Sequence, residues 1–327
     1  MKRLSLSGTF AALLCAQLLA ITGVNAQAFP NRLVKIVVPY AAGGSTDGAA
    51  RGLAQRLTES WGQPVVIENR PGAGTTIGAD FVAKAAPDGY TLLFSDHPTY
   101  VVSPHLYSKL NYNPFTDLAP ITVVFHSSPV LVMANAVPAG NFREFLAYAK
   151  ANPGKLSYGS FGYGSNPHVA IENLKKMAGI DLVHVPYKGG SPALTDLLAG
   201  RVALLLGTYS FWEPHEKAGK LKVIAAVTEK RLKVRPDLPT VAESGVPGFF
   251  INTWFALAAT GGTPAPVLDK INADVVKVLQ DPVFNEKFMK PKAYEPGGNS
   301  REAFTAMLKT EYAHWGRLVK ESGAKVE

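Results

Sequence analysis

The chain has 327 residues, 47% of them hydrophobic and 18% charged, with a formal net charge of +8. That length favours two domains over a single core, and the composition excludes a disordered chain. The basic residues are scattered rather than clustered, which argues against nucleic-acid binding and leaves only a mild attraction for anions.

The N-terminus addresses the compartment. Met1-Lys2-Arg3 is basic, Leu4 to Ile21 is apolar without an acid, and Val24-Asn25-Ala26 fits an A-x-A-like cleavage site. Ser5, Ser7, Thr9 and Gln17 interrupt the apolar run and favour a cleaved signal over a membrane anchor. Residues 1–26 are therefore expected to be a signal peptide, and the mature protein to be periplasmic. The one cysteine, Cys15, lies in this segment, so disulfide and thiol chemistry are not expected. No later segment reaches the ~18 continuous apolar residues of a membrane span.

Ile36-Val37-Val38 reads as a short buried strand, broken by Gly43-Gly44. Ser45, Thr46 or Asp47 is placed to cap the following helix, whose inward stripe is Leu53, Leu57 and Trp61. Val65–Ile67 is a second strand, followed by the turn Arg70–Gly74. A helix marked by Ile77, Phe81, Val82 and Ala85 comes next, then a third strand at Tyr90–Phe94. This alternation argues a parallel sheet covered by helices.

Ile121–Ala134 is too long for one ordinary strand and reads as a crossing between domains. A second strand–helix series follows. Its helices are near Phe142–Ala151, from Val169 to Met177, and at Pro192–Ala199; its strands are near Lys155–Tyr158, Leu182–Tyr187, Val202–Leu206 and Leu221–Val227. Phe249–Ala259 is a second long apolar crossing. Helices close the chain. Val267, Leu268, Ile271, Val275 and Leu279 share one face, and Asn299 with Glu302 resembles a capping box. Two crossings imply a discontinuous first domain, residues 27–127 and 253–327, with a second domain, 128–252, inserted between them.

Ligands in open α/β sheets bind beyond the carboxyl ends of the strands. Three loops have the composition for it: Tyr40–Asp47, Gly159–His168 and Lys188–Ser191. Each runs through glycines into a helix start, where free N–H groups favour an anion. For any one loop, turn-making alone is the plainer explanation; three together favour a clamp. Arg70 and Lys188 are possible anion partners but more ordinary as surface residues. Trp254 and Phe255 suit core packing better than a pocket floor. No metal-ligand spacing such as H-E-x-x-H occurs, and no metal or cofactor is expected. Enzyme motifs are missing too. Tyr158 stands where G-x-S-x-G around Ser160 needs glycine, and Gly72–Gly78 misses the dinucleotide fingerprint by one position.

PYAAGGSTDGAAR, VVIENRPGAGTTIGADFVAKAAPDGYTLL, GSFGYGSNPH, VHVPYKGGSPALTDLLAGRV and DLPTVAESGVPGF together resemble the substrate-binding proteins of tripartite tricarboxylate transporters, the Bug receptors. The resemblance spans essentially the whole chain after residue 26. It implies a type II periplasmic-binding-protein fold, with two α/β domains joined by two crossover strands. It implies a monomeric receptor that captures a small organic carboxylate and delivers it to a membrane permease pair. Carried onto this sequence, the carboxylate clamp falls on Tyr40, Ala41, Ala42, Gly43, Gly44, Ser45 and Thr46; on Gly159, Ser160, Phe161, Gly162, Gly164, Ser165 and Asn166; and on Tyr187, Lys188, Gly189 and Gly190. The other end of the ligand is expected to meet Ser95, His97, His126 or Thr208. Relatives often carry acids about where Ala203 and Gly207 stand, so a di- or tricarboxylate or an aromatic acid is favoured here over an amino acid. The competing readings are a ligand sensor for a signalling receptor and an exported enzyme acting on a small acid.

Overall fold

The computed structural model describes residues 29–324, so the expected signal peptide lies outside the described residues. In the first sheet β1 (Val34–Val38) pairs in parallel with β2 (Val65–Asn69) and β3 (Thr91–Asp96), as the β-branched runs and intervening helices predict. β10 (Trp254–Thr260) lies antiparallel between β3 and β4 (Leu118–His126), and β11 (Glu295–Pro296) closes the edge. The six strands run in the order β11-β4-β10-β3-β1-β2.

In the second sheet β6 (Ser157–Ser160) pairs in parallel with β7 (Val183–Pro186) and β8 (Leu204–Thr208). β5 (Pro129–Ala134) lies antiparallel to β8 and to β9 (Leu221–Ala226). These five strands run in the order β7-β6-β8-β5-β9. Two mixed sheets with flanking helices make the periplasmic-binding-protein architecture that the sequence implies.

The helices that matter below are α1 (Ser45–Trp61), α2 (Thr76–Ala83), α3 (Phe142–Ala151), α4 (Asn166–Ala178), α5 (Gly190–Leu198), α6 (Tyr209–Lys217), α7 (Ala265–Gln280) and α8 (Arg301–Ser322). Neither crossing is one continuous strand. β4 ends at His126 and β5 begins at Pro129, in different sheets, with Ser127-Ser128 between them. The second crossing becomes a strand only at Trp254. The two crossings touch, the Ser127 N–H donating to the Thr253 carbonyl at 2.9 Å.

Strand ends, which frame the site, shift by one or two residues from expectation, because pairing partners and not composition set them. Ile77 is half exposed rather than inward; Gly78 and Ala79 make the close contact with the sheet, a Cβ on Gly78 falling 2.8 Å from the Pro39 ring. Asn299 does not cap α8. Ser300 does, accepting the Ala303 N–H, while the Asn299 Oδ1 takes the Val123 N–H at 2.8 Å and lies 3.0 Å from the Thr122 hydroxyl. Asn299 therefore fastens the α7–α8 connection to β4. Because Val123 is buried, losing that acceptor leaves a strand amide without a partner. Asn299→Ala is expected to lower stability by about 2 kcal/mol, and Ser300→Ala, at an exposed cap, by about 1 kcal/mol, compared by urea unfolding.

Candidate functional site: a closed cleft between two sheets

The carboxyl ends of β1, β3, β6 and β8 point at one another across the gap between the sheets. They enclose a cavity of about 20 Å³, lined by Ser45, Thr46, Asp96, Ser127, Pro129, Phe161, Asn166, Pro167, Leu206, Gly207, Thr208, Thr253 and Phe255. That volume holds about one water molecule, so the two halves are closed down on each other.

Backbone contacts close the mouth. The Ala41 N–H donates to the Lys188 carbonyl at 2.9 Å, and the Ser191 hydroxyl donates to the Ala42 carbonyl at 3.1 Å. Asn166 Nδ2 reaches the Thr253 hydroxyl at 3.0 Å. Gly74 (φ +55°) is so close to the opposite loop that a Cβ there would fall 1.7 Å from the Tyr163 carbonyl oxygen. Lys188 thus contributes its carbonyl; its side chain is exposed and is not part of the cavity wall.

Three helices begin at the cavity without side-chain caps: α1, α4 and α6, of which α6 has its first N–H already donated to the Ser128 carbonyl. α1 starts after Gly44, which has no side chain to offer. α4 starts after Ser165, whose hydroxyl is turned back to the Gly162 carbonyl and accepts the Phe161 N–H. The first N–H groups of each helix have no intrahelical acceptor, and they carry the positive end of the helix dipole. Thr208, before α6, adds a hydroxyl to the same wall.

Side chains brace both loops. Asp47 is neither cap nor cavity wall. Burial acts to raise its pKa, but bonds from the Arg51 guanidinium, the Gly43 amide and Asn69 prevail and hold the carboxyl below its ordinary range. Asn69 also donates to the Tyr40 carbonyl at 3.1 Å, tying the loop after β1 to β2. In the opposite half, Ser160 Oγ stands 2.7 Å from His184 Nε2, and the Gly164 N–H donates to His168 Nδ1 at 3.1 Å. Burial pushes both imidazoles down to about 4, which keeps them neutral and able to accept. The Ser160–His184 spacing would suit a nucleophile and its base, but Ser160 is fully buried, is absent from the cavity wall and is engaged with Gly162.

Of the residues expected in the clamp, Ser45, Thr46, Phe161 and Asn166 line the cavity, and Thr208 does so from the group expected at the ligand's other end. Ala41 and Ala42 join the mouth contacts through backbone, and Gly43, Gly44, Gly189 and Gly190 supply the close approach between the loops. Tyr40 packs edge-on against Phe161 across the cleft. Gly159, Ser160 and Ser165 shape the second loop from behind, Gly162 and Gly164 bring it close to Gly74, Leu106 and Tyr107 of the opposite half, and the Tyr187 hydroxyl is spent on Asp196.

Three expected contacts point away. Ser95 Oγ lies 2.5 Å from Thr99 Oγ1, on the face behind the cavity. His97 is fully buried between the rings of Trp254 and Trp315, its pKa driven down to about 3 by that burial. His126 faces Asn252 at the sheet edge. Arg70 is paired with Glu68 and stacked on Phe81, away from the cleft. Phe255 is in the cavity wall while Trp254 packs in the core.

The residue sequence reasoning missed is Asp96. It is 4% exposed, lines the cavity and accepts the Tyr40 hydroxyl at 2.8 Å. Burial raises its pKa to about 6, against the opposing bonds from Tyr40, its own amide and Ser95. The sequence carries no acid about where Ala203 and Gly207 stand; the cavity has one all the same, from the end of β3. Gly207 is in the wall, where a Cβ would meet the Trp212 ring at 2.8 Å, so β3 rather than β8 brings the carboxyl.

Two sheets, a closed cleft between them and helix N-termini converging on it define a solute-binding protein of the periplasmic-binding-protein class. The profile of the tripartite tricarboxylate transporter family receptor matches residues 49–324, and the chain belongs to that family. It is 34% identical over 305 residues to the protein BugT of Bordetella pertussis, covering 93% of this chain and 93% of that protein. Among solved structures it is similar to periplasmic binding protein BugD, with 37% identity and a TM-score of 0.87 over 91% of this chain and all of that one. The structure titled R. palustris Rpa4515 with adipate gives 35% identity and a TM-score of 0.88, again over 91% of this chain and all of that one. Among the described residues no helix is long and apolar enough to cross a membrane.

Asp96 opposes folding at neutral pH. Its folded pKa is raised from 3.8 to about 6, so the native state binds the proton more tightly than the unfolded chain does. That advantage is present below pH ~4 and lost as pH rises through 6, which leaves neutral Asp96 favoured by up to about 3 kcal/mol. Asp96→Asn is expected to melt several degrees above the parent protein at pH 7.5, with the margin shrinking towards pH 4, measured by differential scanning calorimetry.

Proposed function

We propose that this protein is a periplasmic receptor that holds one carboxylate of a small organic acid between the N-termini of α1 and α4 and delivers the acid to a tripartite tricarboxylate transporter. One observation carries the reading: two uncapped helix N-termini, one from each half of the molecule, meet at a single buried cavity whose lining residues include no lysine, arginine or histidine. Backbone N–H groups and helix dipoles bind an anion in such a place without a salt bridge. Ser45 and Thr46 serve one side, Asn166 the other, with Phe161 and Phe255 against the carbon skeleton. Family membership supports the transport role, and the similar protein carrying adipate supports the ligand class.

Closure is the signal the receptor gives. A ligand that touches both halves favours the closed form by its differential affinity for it. The cavity is too small for an organic acid of several carbons, so loading requires the halves to part.

Thermal-shift screening of the mature protein against mono-, di-, tricarboxylic and aromatic acids tests the reading. A cognate acid at a thousand times its Kd is expected to stabilise by about 4 kcal/mol. The absence of a shift with every acid would remove the carboxylate reading, and recovery of a chemically altered acid would replace it with an enzymatic one. Gly74→Ala offers a second check. The added methyl meets the Tyr163 carbonyl only when the cleft is shut. The variant is expected to keep its circular dichroism spectrum and to bind its acid at least tenfold more weakly.

A further inference from the structure

The cavity wall contains one ionisable side chain, Asp96. Its two side-chain hydrogen bonds, from Tyr40 at 2.8 Å and Ser95 at 3.5 Å, both go to Oδ1. The Asp96 backbone amide adds a further bond to the carboxylate. Two polar atoms on the wall are buried with no partner among the described residues, Asn166 Oδ1 and Ser127 Oγ. Asn166 is 5% exposed and Ser127 is 8% exposed. A carboxylate and an amide oxygen only accept hydrogen bonds, and a hydroxyl does either. Buried acceptors without donors are costly, and a ligand able to donate to them relieves that cost. A ligand carboxylate brings the opposite: a second negative charge and more acceptors, in a closed cleft where like charges repel strongly.

The helix N-termini suit one carboxylate, and the Asp96 wall does not suit another. We propose that Asp96 is the specificity-determining residue for the ligand's second polar end. On this inference the receptor prefers a small monocarboxylate ending in a hydroxyl, amide or ammonium over the isosteric dicarboxylate. The inference rests on the carboxylate-receptor reading and narrows it. It differs from the di- or tricarboxylate or aromatic acid expected from the sequence, which rested on the absence of acids near Ala203 and Gly207.

The test is isothermal titration of the mature protein at pH 7.5 with matched pairs: glutarate against its monoamide, and succinate against its monoamide. 4-Hydroxybutanoate and 4-aminobutanoate complete the panel. At least one donor-ended acid is expected to bind tenfold or more tighter than its matched dicarboxylate. Asp96→Asn is expected to reduce that ratio at least tenfold. A dicarboxylate that binds the parent protein as tightly as its monoamide overturns the inference while leaving the carboxylate receptor standing. So does an unchanged ratio in Asp96→Asn. The ratio in the parent protein decides the matter by itself if the variant does not fold. Failure of every acid to bind removes both readings together.

Discussion

Everything in this cleft depends on leaving helix N-termini uncapped and buried. An ordinary helix start satisfies its first N–H groups with a serine, threonine or aspartate side chain. Here Gly44 has none to give, and Ser165 turns its hydroxyl to the preceding turn instead. Those N–H groups are thereby left without a side-chain cap, facing a cavity with room for about one water molecule. Polar side chains hold the backbone instead of touching the cavity: Asp47 and Asn69 for one loop, Ser160, His168 and His184 for the other. Both histidines are held neutral by burial; His168 accepts the Gly164 N–H, His184 shares a hydrogen bond with Ser160, and neither adds charge to the site.

The second constraint is the join. β4 and β5 change sheets within Ser127-Ser128, and the strand of the return crossing starts at Trp254. Trp254, Tyr100 and Phe304 pack together there, with His97 between Trp254 and Trp315. This aromatic cluster belongs to an apolar core that continues from one sheet to the other. α8 lies behind it and touches α4 of the opposite half, with Lys176 Nζ donating to the Glu321 carbonyl at 2.5 Å. The back of the molecule is therefore apolar and continuous, while the mouth is held by a few polar contacts. For the receptor proposed above, the mouth is the side that can part and the apolar back the side that can bend.

Asp96 shows how function departs from stability. A carboxylate at a buried strand end opposes folding at neutral pH, and a structural protein has no use for it. Tyr40 offers only partial compensation through one oxygen. The same feature makes the wall selective, since a buried acceptor discriminates sharply between ligands that donate to it and ligands that do not.

The sequence by itself determined the two-sheet architecture and the family, and it named the loops proposed for the clamp. Those follow from local rules: β-branched runs, glycine pairs before helix starts, and long specific strings such as RPGAG and VPYKGGSPALTDLLAG. Of the residues it proposes, Ser45, Thr46, Phe161, Asn166 and Thr208 lie in the cavity wall. Two differences are single-residue shifts along a strand end. Ser95 and His97 were favoured, and the wall residue is Asp96 between them; His126 was favoured, and the wall residue is Ser127. Side chains alternate faces along extended backbone, so a shift of one position exchanges cavity for core. Only pairing fixes that parity: Asp96 lies opposite Phe255 in the ladder, and both turn into the cleft, while the ring of His97 is buried against Trp315. Composition names which loops can bind an anion, but the register of β3 against β10 decides which side chain the anion's carrier meets.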